Sequence, residues 1–382
     1  MQATDLRVAL FSGNYNYVRD GPTQALNLLV GHLLSRGAAV RVYSPTGPNP
    51  AFEPTGDLVG VASVPIPGRS EYRVALGMPA KVRRDLGAFA PNLVHVSAPD
   101  ILGHRAVSYA RKRDIPVVAS VHTRFETYLR YYGVGFLEPG ALAVLRRFYR
   151  RCDAILPPSA SMADLLREQR MNHDIGIWSR GIDRAIFTPS ARSLAWRREL
   201  GIHDDEMAIG FLGRLVLEKG LDVFTAAIAE LQRRGVAHRV LVVGEGPAKD
   251  WFSGHVPNAV FAGFQQGKDL GRAVASMDML FNPSVTETFG NVTLEAMACA
   301  VPVVAAIATG SSSLVDHGAT GRLIDPADIA GFADALQAYC ENRDLADDDG
   351  AAGEVRSQAY SWDAINQTVV DKYLAVLARR GR

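Results

Sequence analysis

The stretch Ala208-Ile209-Gly210-Phe211-Leu212-Gly213-Arg214-Leu215-Val216-Leu217-Glu218-Lys219-Gly220-Leu221-Asp222 decides the fold. A short apolar run enters a glycine-bounded loop with two cations, then an amphipathic segment. That is strand, loop and helix, with the strand covered on both faces. The pattern recurs along the chain. Strands are predicted at Arg7–Ser12, Val40–Ser44, Val59–Val64, Leu93–Ser97, Val117–Val121 and Ala154–Leu156. They resume at Ala208–Leu212, Arg239–Val243, Met279–Asn282, Val303–Ala306 and Arg322–Ile324. Helices are predicted at Thr23–Ser35, Pro79–Phe89, Gly103–Lys112, Gly220–Arg233 and Val292–Ala300, with Gly37 and Pro116 marking helix ends. Strand–helix alternation without hairpin signals implies parallel, doubly wound sheets. The pattern restarts after Ser179, and Arg180–Ala195, with Gly181 and Pro189, reads as a linker. The expectation is an α/β chain of two tandem Rossmann-like domains, residues 1–180 and 181–359. Ligands bind such sheets at the carboxyl ends of the strands, and in tandem those ends can face each other across a cleft.

Composition agrees with a globular chain. Of 382 residues, 48% are hydrophobic and 21% charged, which excludes a disordered or fibrous protein. Cys152, Cys299 and Cys340 lie far apart, so neither a disulfide scaffold nor a zinc module is expected. No apolar run reaches the roughly 18 residues of a membrane helix. Met1–Ser12 lacks the basic flank and long apolar core of a signal peptide, so a cytoplasmic protein is expected. The net charge of +1 hides an asymmetry: residues 1–180 carry 22 Lys+Arg against 14 Asp+Glu, and residues 181–382 carry 19 against 26. The basic half suits a phosphate or an anionic surface. With only six lysines among 41 basic residues, a general preference for arginine explains the asymmetry equally well.

Three loops carry candidate chemistry. The first, Ser12–Pro22, is polar, contains Gly13 and Gly21, and opens into a helix, a place for a phosphate on backbone amides. It is neither Gly-x-Gly-x-x-Gly nor a P-loop, which argues against a dehydrogenase or P-loop ATPase. The second is the loop quoted above. Arg214, a planar fork, and Lys219, a point charge, stand at a strand's carboxyl end and suit a diphosphate. The third is Glu287-Thr288-Phe289-Gly290-Asn291-Val292-Thr293-Leu294-Glu295. Glu287 lies in a loop, while Glu295 lies in a helix that starts near Gly290 and offers free amides to an anion. Carboxylates so placed can accept hydrogen bonds from sugar hydroxyls. Glu295 precedes the apolar Ala296-Met297-Ala298, where a carboxylate is costly without a purpose.

Together, Gly-Arg-Leu-x3-Lys-Gly from Gly213, Glu-x7-Glu from Glu287 and Gly244-Glu245-Gly246-Pro247 resemble the signatures of retaining GT-B-fold glycosyltransferases of glycosyltransferase family 4. The first half is similar to the branch using mannosyl, glucosyl or sulfoquinovosyl donors. The resemblance implies a GT-B fold whose last helix, 360–382, returns to the first domain. That domain would take the acceptor and 181–359 the nucleotide-sugar donor. Arg214 and Lys219 would hold the diphosphate, Glu295 the ribose and Glu287 the transferred hexose. Backbone amides around Phe289, Gly290, Asn291 and Val292 would lie close to sugar and phosphate. His122, in Val121-His122-Thr123-Arg124, would approach the sugar, and Gly13 and Gly21 would let the first loop close over the phosphates. Base identity would be read around Gly263-Phe264-Gln265, which adds Phe264 to the donor set. Arg180-Gly181-Ile182-Asp183 stands where the family often has Asn-Gly-Val-Asp; the arginine is either a cleft cation or a surface charge.

The implied reaction moves a hexose, with GDP-mannose the first choice of donor, to a lipid, glycolipid or polysaccharide acceptor. The alternatives are a UDP-sugar-dependent transferase of the same fold or a sugar-nucleotide 2-epimerase. His95, His104 and His173 have no metal spacing, and no metal or other cofactor is expected. The helix around Ala141–Cys152 sets Leu142, Leu145, Phe148 and Tyr149 against Arg146, Arg147, Arg150 and Arg151. It either packs on a sheet or lies on anionic lipid as a peripheral membrane contact. Tyr128, Tyr131 and Tyr132 could form an acceptor-side lip. The run Asp347–Asp349 reads as a solvated loop. Nucleic acid binding is not expected, since the arginine cluster is short and has no recognised module around it.

Overall fold

The computed structural model describes residues 1–18, 20–66, 69–122 and 135–381. They divide into two compact units: 1–180 with 362–382, and 181–361.

In the first unit the order is β1 (Arg7–Phe11), α1 (Gly21–Ser35), β2 (Ala39–Pro45), β3 (Asp57–Val61), β4 (Ser63–Ile66), β5 (Arg69–Ala75), α2 (Ala80–Phe89), β6 (Leu93–Val96), α3 (Ile101–Arg111), β7 (Val117–Ser120), α4 (Glu138–Tyr149), β8 (Ala154–Leu156) and α5 (Ala160–Glu168). The second unit follows: α6 (Leu194–Glu199), β9 (Ala208–Leu212), α7 (Leu221–Arg233), β10 (Arg239–Val243), α8 (Lys249–His255), β11 (Val260–Gly263), α9 (Gly267–Ala275), β12 (Met279–Asn282), α10 (Asn291–Ala298), β13 (Val303–Ala306), α11 (Ser311–Leu314), β14 (Gly321–Ile324), α12 (Ile329–Glu341) and α13 (Arg343–Ser357). Helix α14 (Trp362–Arg379) then returns to the first unit.

Each unit holds a parallel six-stranded sheet, ordered β3-β2-β1-β6-β7-β8 and β11-β10-β9-β12-β13-β14. Leaving aside the β4–β5 hairpin, both follow the doubly wound order 3-2-1-4-5-6. The inner strands are largely apolar because helices cover both faces. Phe211 and Phe281 of the second sheet interlock with Phe224 of α7 and Phe252 of α8 at centroid distances of 4.8–5.6 Å, and all four are at most 3% exposed. Each such burial contributes about 1.5–3 kcal/mol.

Several expectations need correction. Val59–Val64 is not one strand: it breaks at Ala62, and β4 turns into an antiparallel hairpin with β5. Strand β11 was not expected; it is four residues long, half-exposed, and lies at a sheet edge. The 180–195 segment is no open linker, since Ile182 and Phe187 join the second unit's core. Asp349 is not solvated. It lies within α13, 5% exposed, and accepts hydrogen bonds from Arg322 (2.6 Å) and Tyr339 (2.5 Å). The apolar side of α4 packs on the sheet: Phe148 and Tyr149 are buried, and Leu142 and Leu145 adjoin the core. The tyrosines Tyr128, Tyr131 and Tyr132 lie outside the described residues. Among the described residues no helix is long and apolar enough to cross a membrane.

The loops at the carboxyl ends of β9, β10 and β11 are stitched together by backbone bonds. Gly213 N–H donates to Val243 O (3.0 Å), Leu215 N–H to Glu245 O (3.0 Å) and Gly244 N–H to Gly263 O (2.9 Å). Gly244 has φ 141°, and a Cβ there would stand 1.9 Å from the Gly213 carbonyl oxygen. Replacing Gly244 with Ala should therefore cost about 2 kcal/mol or more. Urea denaturation followed by circular dichroism checks this; a midpoint equal to wild type would contradict it.

Candidate active site

In the second unit the strand order turns outward between β9 and β12, the place where a doubly wound sheet opens a crevice. The loop after β9 carries Arg214 and then a single 3-10 turn, Leu217–Lys219. Gly220 ends that turn at φ 73°, and a Cβ there would meet the Pro283 carbonyl at 2.9 Å. Only glycine lets this loop lie so close to the one after β12. The approach places Lys219 Nζ 3.0 Å from Glu287 Oε1. Arg214 is exposed and, among the described residues, has no side-chain partner.

Glu287 is firmly held. Besides Lys219, Asn282 Nδ2 donates to Oε2 at 3.4 Å and also to Thr293 Oγ1 at 3.2 Å. Thr309 Oγ1 donates to the Glu287 carbonyl at 2.8 Å. Gly290, at φ 93°, starts α10, whose first turn has no side-chain cap, so Asn291 and Val292 stand where amides await an anion. Phe289 is 4% exposed and packs its ring 5.8 Å from that of Tyr360. Phe264 is 67% exposed in the loop after β11. One turn into α10, Glu295 has no side-chain hydrogen bond among the described residues. Burial, with the Glu287 charge beside it, pushes its carboxyl up to about 7. Lys219, Glu287, Gly290, Asn291, Val292 and Glu295 thus come together around one strand-order reversal. Asn282, Thr293 and Thr309, which orient Glu287, were not singled out in the sequence. A polar residue ending the apolar Met279-Leu280-Phe281 strand was the available signal.

In the first unit Gly13 follows β1, and its carbonyl accepts from Tyr17 Oη at 2.7 Å. Gly21 is the first residue of α1, earlier than the expected Thr23. Asp20 caps that helix by accepting from Thr23 N–H at 2.9 Å. A carboxylate therefore already occupies the helix start at which a phosphate was expected. His122 follows β7, and both its ring nitrogens are engaged. Arg180 Nη2 lies 2.8 Å from Nδ1, and Ser120 Oγ lies 2.8 Å from Nε2. Burial first, then the Arg180 charge, hold His122 well below its ordinary value, so the ring is neutral at physiological pH. Arg180 is 5% exposed and so is not a surface charge. Among the described residues no group of three His, Cys, Asp or Glu side chains could hold a metal ion.

The raised carboxyl of Glu295 has a thermodynamic consequence. Between pH 4.5 and about 7 the folded chain keeps a proton that the unfolded chain has lost. This contribution to stability is full below pH 4.5 and disappears as pH rises through 7. The Glu295→Gln variant should therefore be more stable than wild type at pH 8, by on the order of 1–3 kcal/mol, and equal to it near pH 4. Thermal melts across that range check this; a pH-independent difference would contradict it.

Similarity to known proteins agrees with this geometry. A family profile described as "Glycosyl transferases group 1" matches residues 206–342, and one described as "Glycosyltransferase Family 4" matches residues 20–186. A GDP-mannose-dependent alpha-mannosyltransferase of Mycolicibacterium smegmatis is 32% identical over 98% of this chain and 99% of its own length. Sulfoquinovosyl transferase SQD2 of Arabidopsis thaliana is 30% identical over 80% of this chain, which spans only 61% of that longer protein. Among solved structures, sucrose-phosphate synthase from Thermosynechococcus elongatus superposes with a TM-score of 0.80 at 20% identity. That match covers 97% of this chain and 99% of the other and speaks to the fold alone. With paired Rossmann-like sheets and the family's motifs gathered at one strand-order reversal, the chain belongs to glycosyltransferase family 4 and is a GT-B-fold glycosyltransferase.

Proposed function

We propose that this glycosyltransferase is a retaining mannosyltransferase that uses GDP-mannose and a lipid, glycolipid or polysaccharide acceptor. Similarity over nearly the full length to a GDP-mannose-dependent alpha-mannosyltransferase carries the donor assignment. In this reading Arg214 and Lys219 take the diphosphate, Glu295 the ribose hydroxyls and Glu287 the hexose. The free first turn of α10 and Phe264 complete the donor set. The cations offset charge that develops as the bond from C1 to the phosphate oxygen breaks. The acceptor oxygen attacks C1 on the same face, and its proton passes to the departing phosphate oxygen. His122 of the first unit is assigned to the reaction as an uncharged group, and no metal takes part.

Thermal stabilisation by GDP, UDP and their sugar conjugates tests the donor. GDP-mannose at about 100 times its Kd should add roughly 2.7 kcal/mol. Stabilisation by uracil nucleotides instead would replace GDP-mannose with a UDP-sugar. The Lys219→Ala and Glu295→Ala variants should each lose about 100-fold or more in transfer rate; wild-type rates would overturn the site assignment. Retention is checked by the anomeric configuration of the product.

A peripheral membrane contact is part of this proposal, since a lipid acceptor lies at a bilayer surface. Phe136 and Leu137 before α4 and Val144 on it are exposed, as are Arg147 on α4 and Arg150 just after it. The protein should co-sediment with vesicles containing anionic lipid, and a double Arg147→Glu, Arg150→Glu variant should not. Background sedimentation of wild type would remove the membrane from the reading.

A further inference from the structure

Arg180 is the one motif departure singled out in the sequence that the donor site does not absorb. Its setting within the first unit is specific. Nη1 donates to the carbonyls of Trp178 and Ser179, both at 3.0 Å, and the guanidinium lies 5.2 Å from the Trp178 ring. Trp178 is fully buried and is itself anchored, its Nε1 donating to Asn366 Oδ1 at 3.2 Å. The Trp178 ring packs edge-on against His122 at 5.5 Å and His95 at 6.0 Å. With Nη1 spent on two carbonyls, Nη2 is aimed at His122 Nδ1 at 2.8 Å.

Arginine has donors and no acceptor. The direction of this bond is therefore fixed: Nδ1 of His122 offers its lone pair. In a neutral ring the proton then sits on Nε2, which donates to Ser120 Oγ at 2.8 Å. Ser120 Oγ also lies 2.9 Å from His95 Nε2, and His95 Nδ1 lies 2.6 Å from Tyr373 Oη. One guanidinium thus sets the tautomer of His122, at the head of a hydrogen-bonded chain of five side chains. The charged and titratable groups acting on His122 among the described residues are Arg180 and His95. Arg180 keeps its charge, pushed down only to about 10, and burial pushes His95 down to about 3. Neither changes charge near neutral pH.

We propose that Arg180 is a positioning residue, whose guanidinium locks His122 as the neutral, Nε2-protonated tautomer so that His122 serves transfer without gaining or losing a proton. The reaction half rests on the transferase reading above; the tautomer half does not. Long-range proton–nitrogen correlation spectra of the full chain, 15N-labelled at histidine, test the lock. His122 should appear with Nδ1 bare and Nε2 protonated, unchanged from about pH 5.5 to 8.5. In Arg180→Met, His122 should populate both tautomers. Its kcat should fall about tenfold or more, with the donor KM unchanged within about twofold. Arg180→Lys, which keeps one donor for Nδ1, should recover the single tautomer and most of the rate. A wild-type His122 protonated at Nδ1 overturns the proposal, as does an Arg180→Met variant with unaltered tautomer or unaltered kcat. If Arg180→Met does not fold, the wild-type spectrum and the lysine variant decide. If wild type transfers no sugar, the functional reading falls and takes the reaction half with it, while the spectrum still decides the lock.

Discussion

Placing β9 beside β12 is the constraint on which the second unit's chemistry depends. Neighbouring strands lie about 4.8 Å apart, so the loops that leave them are forced together. The loop after β9 brings a cation and the loop after β12 a carboxylate; Gly220 removes the Cβ that would hold them apart. The ion pair of Lys219 and Glu287 is thus a product of sheet topology and one left-handed glycine. The backbone bonds from Gly213 and Leu215 fix the same loop from its other side, and the bond from Gly244 ties the neighbouring loop, after β10, to the end of β11.

Within this frame the two glutamates are treated differently. Glu287 has a lysine, an asparagine and a threonine holding its side chain or carbonyl, so its geometry is set before any ligand arrives. Among the described residues Glu295 has no side-chain hydrogen bond, a cost that its raised carboxyl records. Natural sites carry such costs where a ligand supplies the missing hydrogen bonds. In the first unit, by contrast, both His122 and the loop after β1 are held by their own neighbours.

Much of this was legible in the sequence. Ten of the predicted strands fall on strands of the structure because both-face burial writes a continuous apolar run, which single-sequence reading detects well. The misses have physical reasons. Strand β11 lies at an edge, half-exposed, and its Val-Phe-Ala-Gly carries little periodicity. The hairpin was hidden in a stretch mixing apolar residues with Arg69, Glu71 and Arg73, although Pro67-Gly68 is a turn signal. At the site, the charged residues stood out by their spacing. Asn282 and Thr309 did not, because a residue that orients another through a distant contact leaves no local pattern; Arg180 stood out as a motif departure, but its pairing with His122 did not.

The first unit is not continuous along the chain: its strands end by residue 180, and its last helix begins at Trp362. That helix supplies Asn366 to Trp178, Tyr373 to His95 and Lys372 to Asp174. During synthesis the ribosome therefore releases everything the second unit needs before it releases the final piece of the first. The domain that starts first is finished last. Until residue 379 emerges, the aromatic and histidine side chains around Trp178 lack the groups that satisfy them, and the nascent first unit stays open to chaperones and proteases.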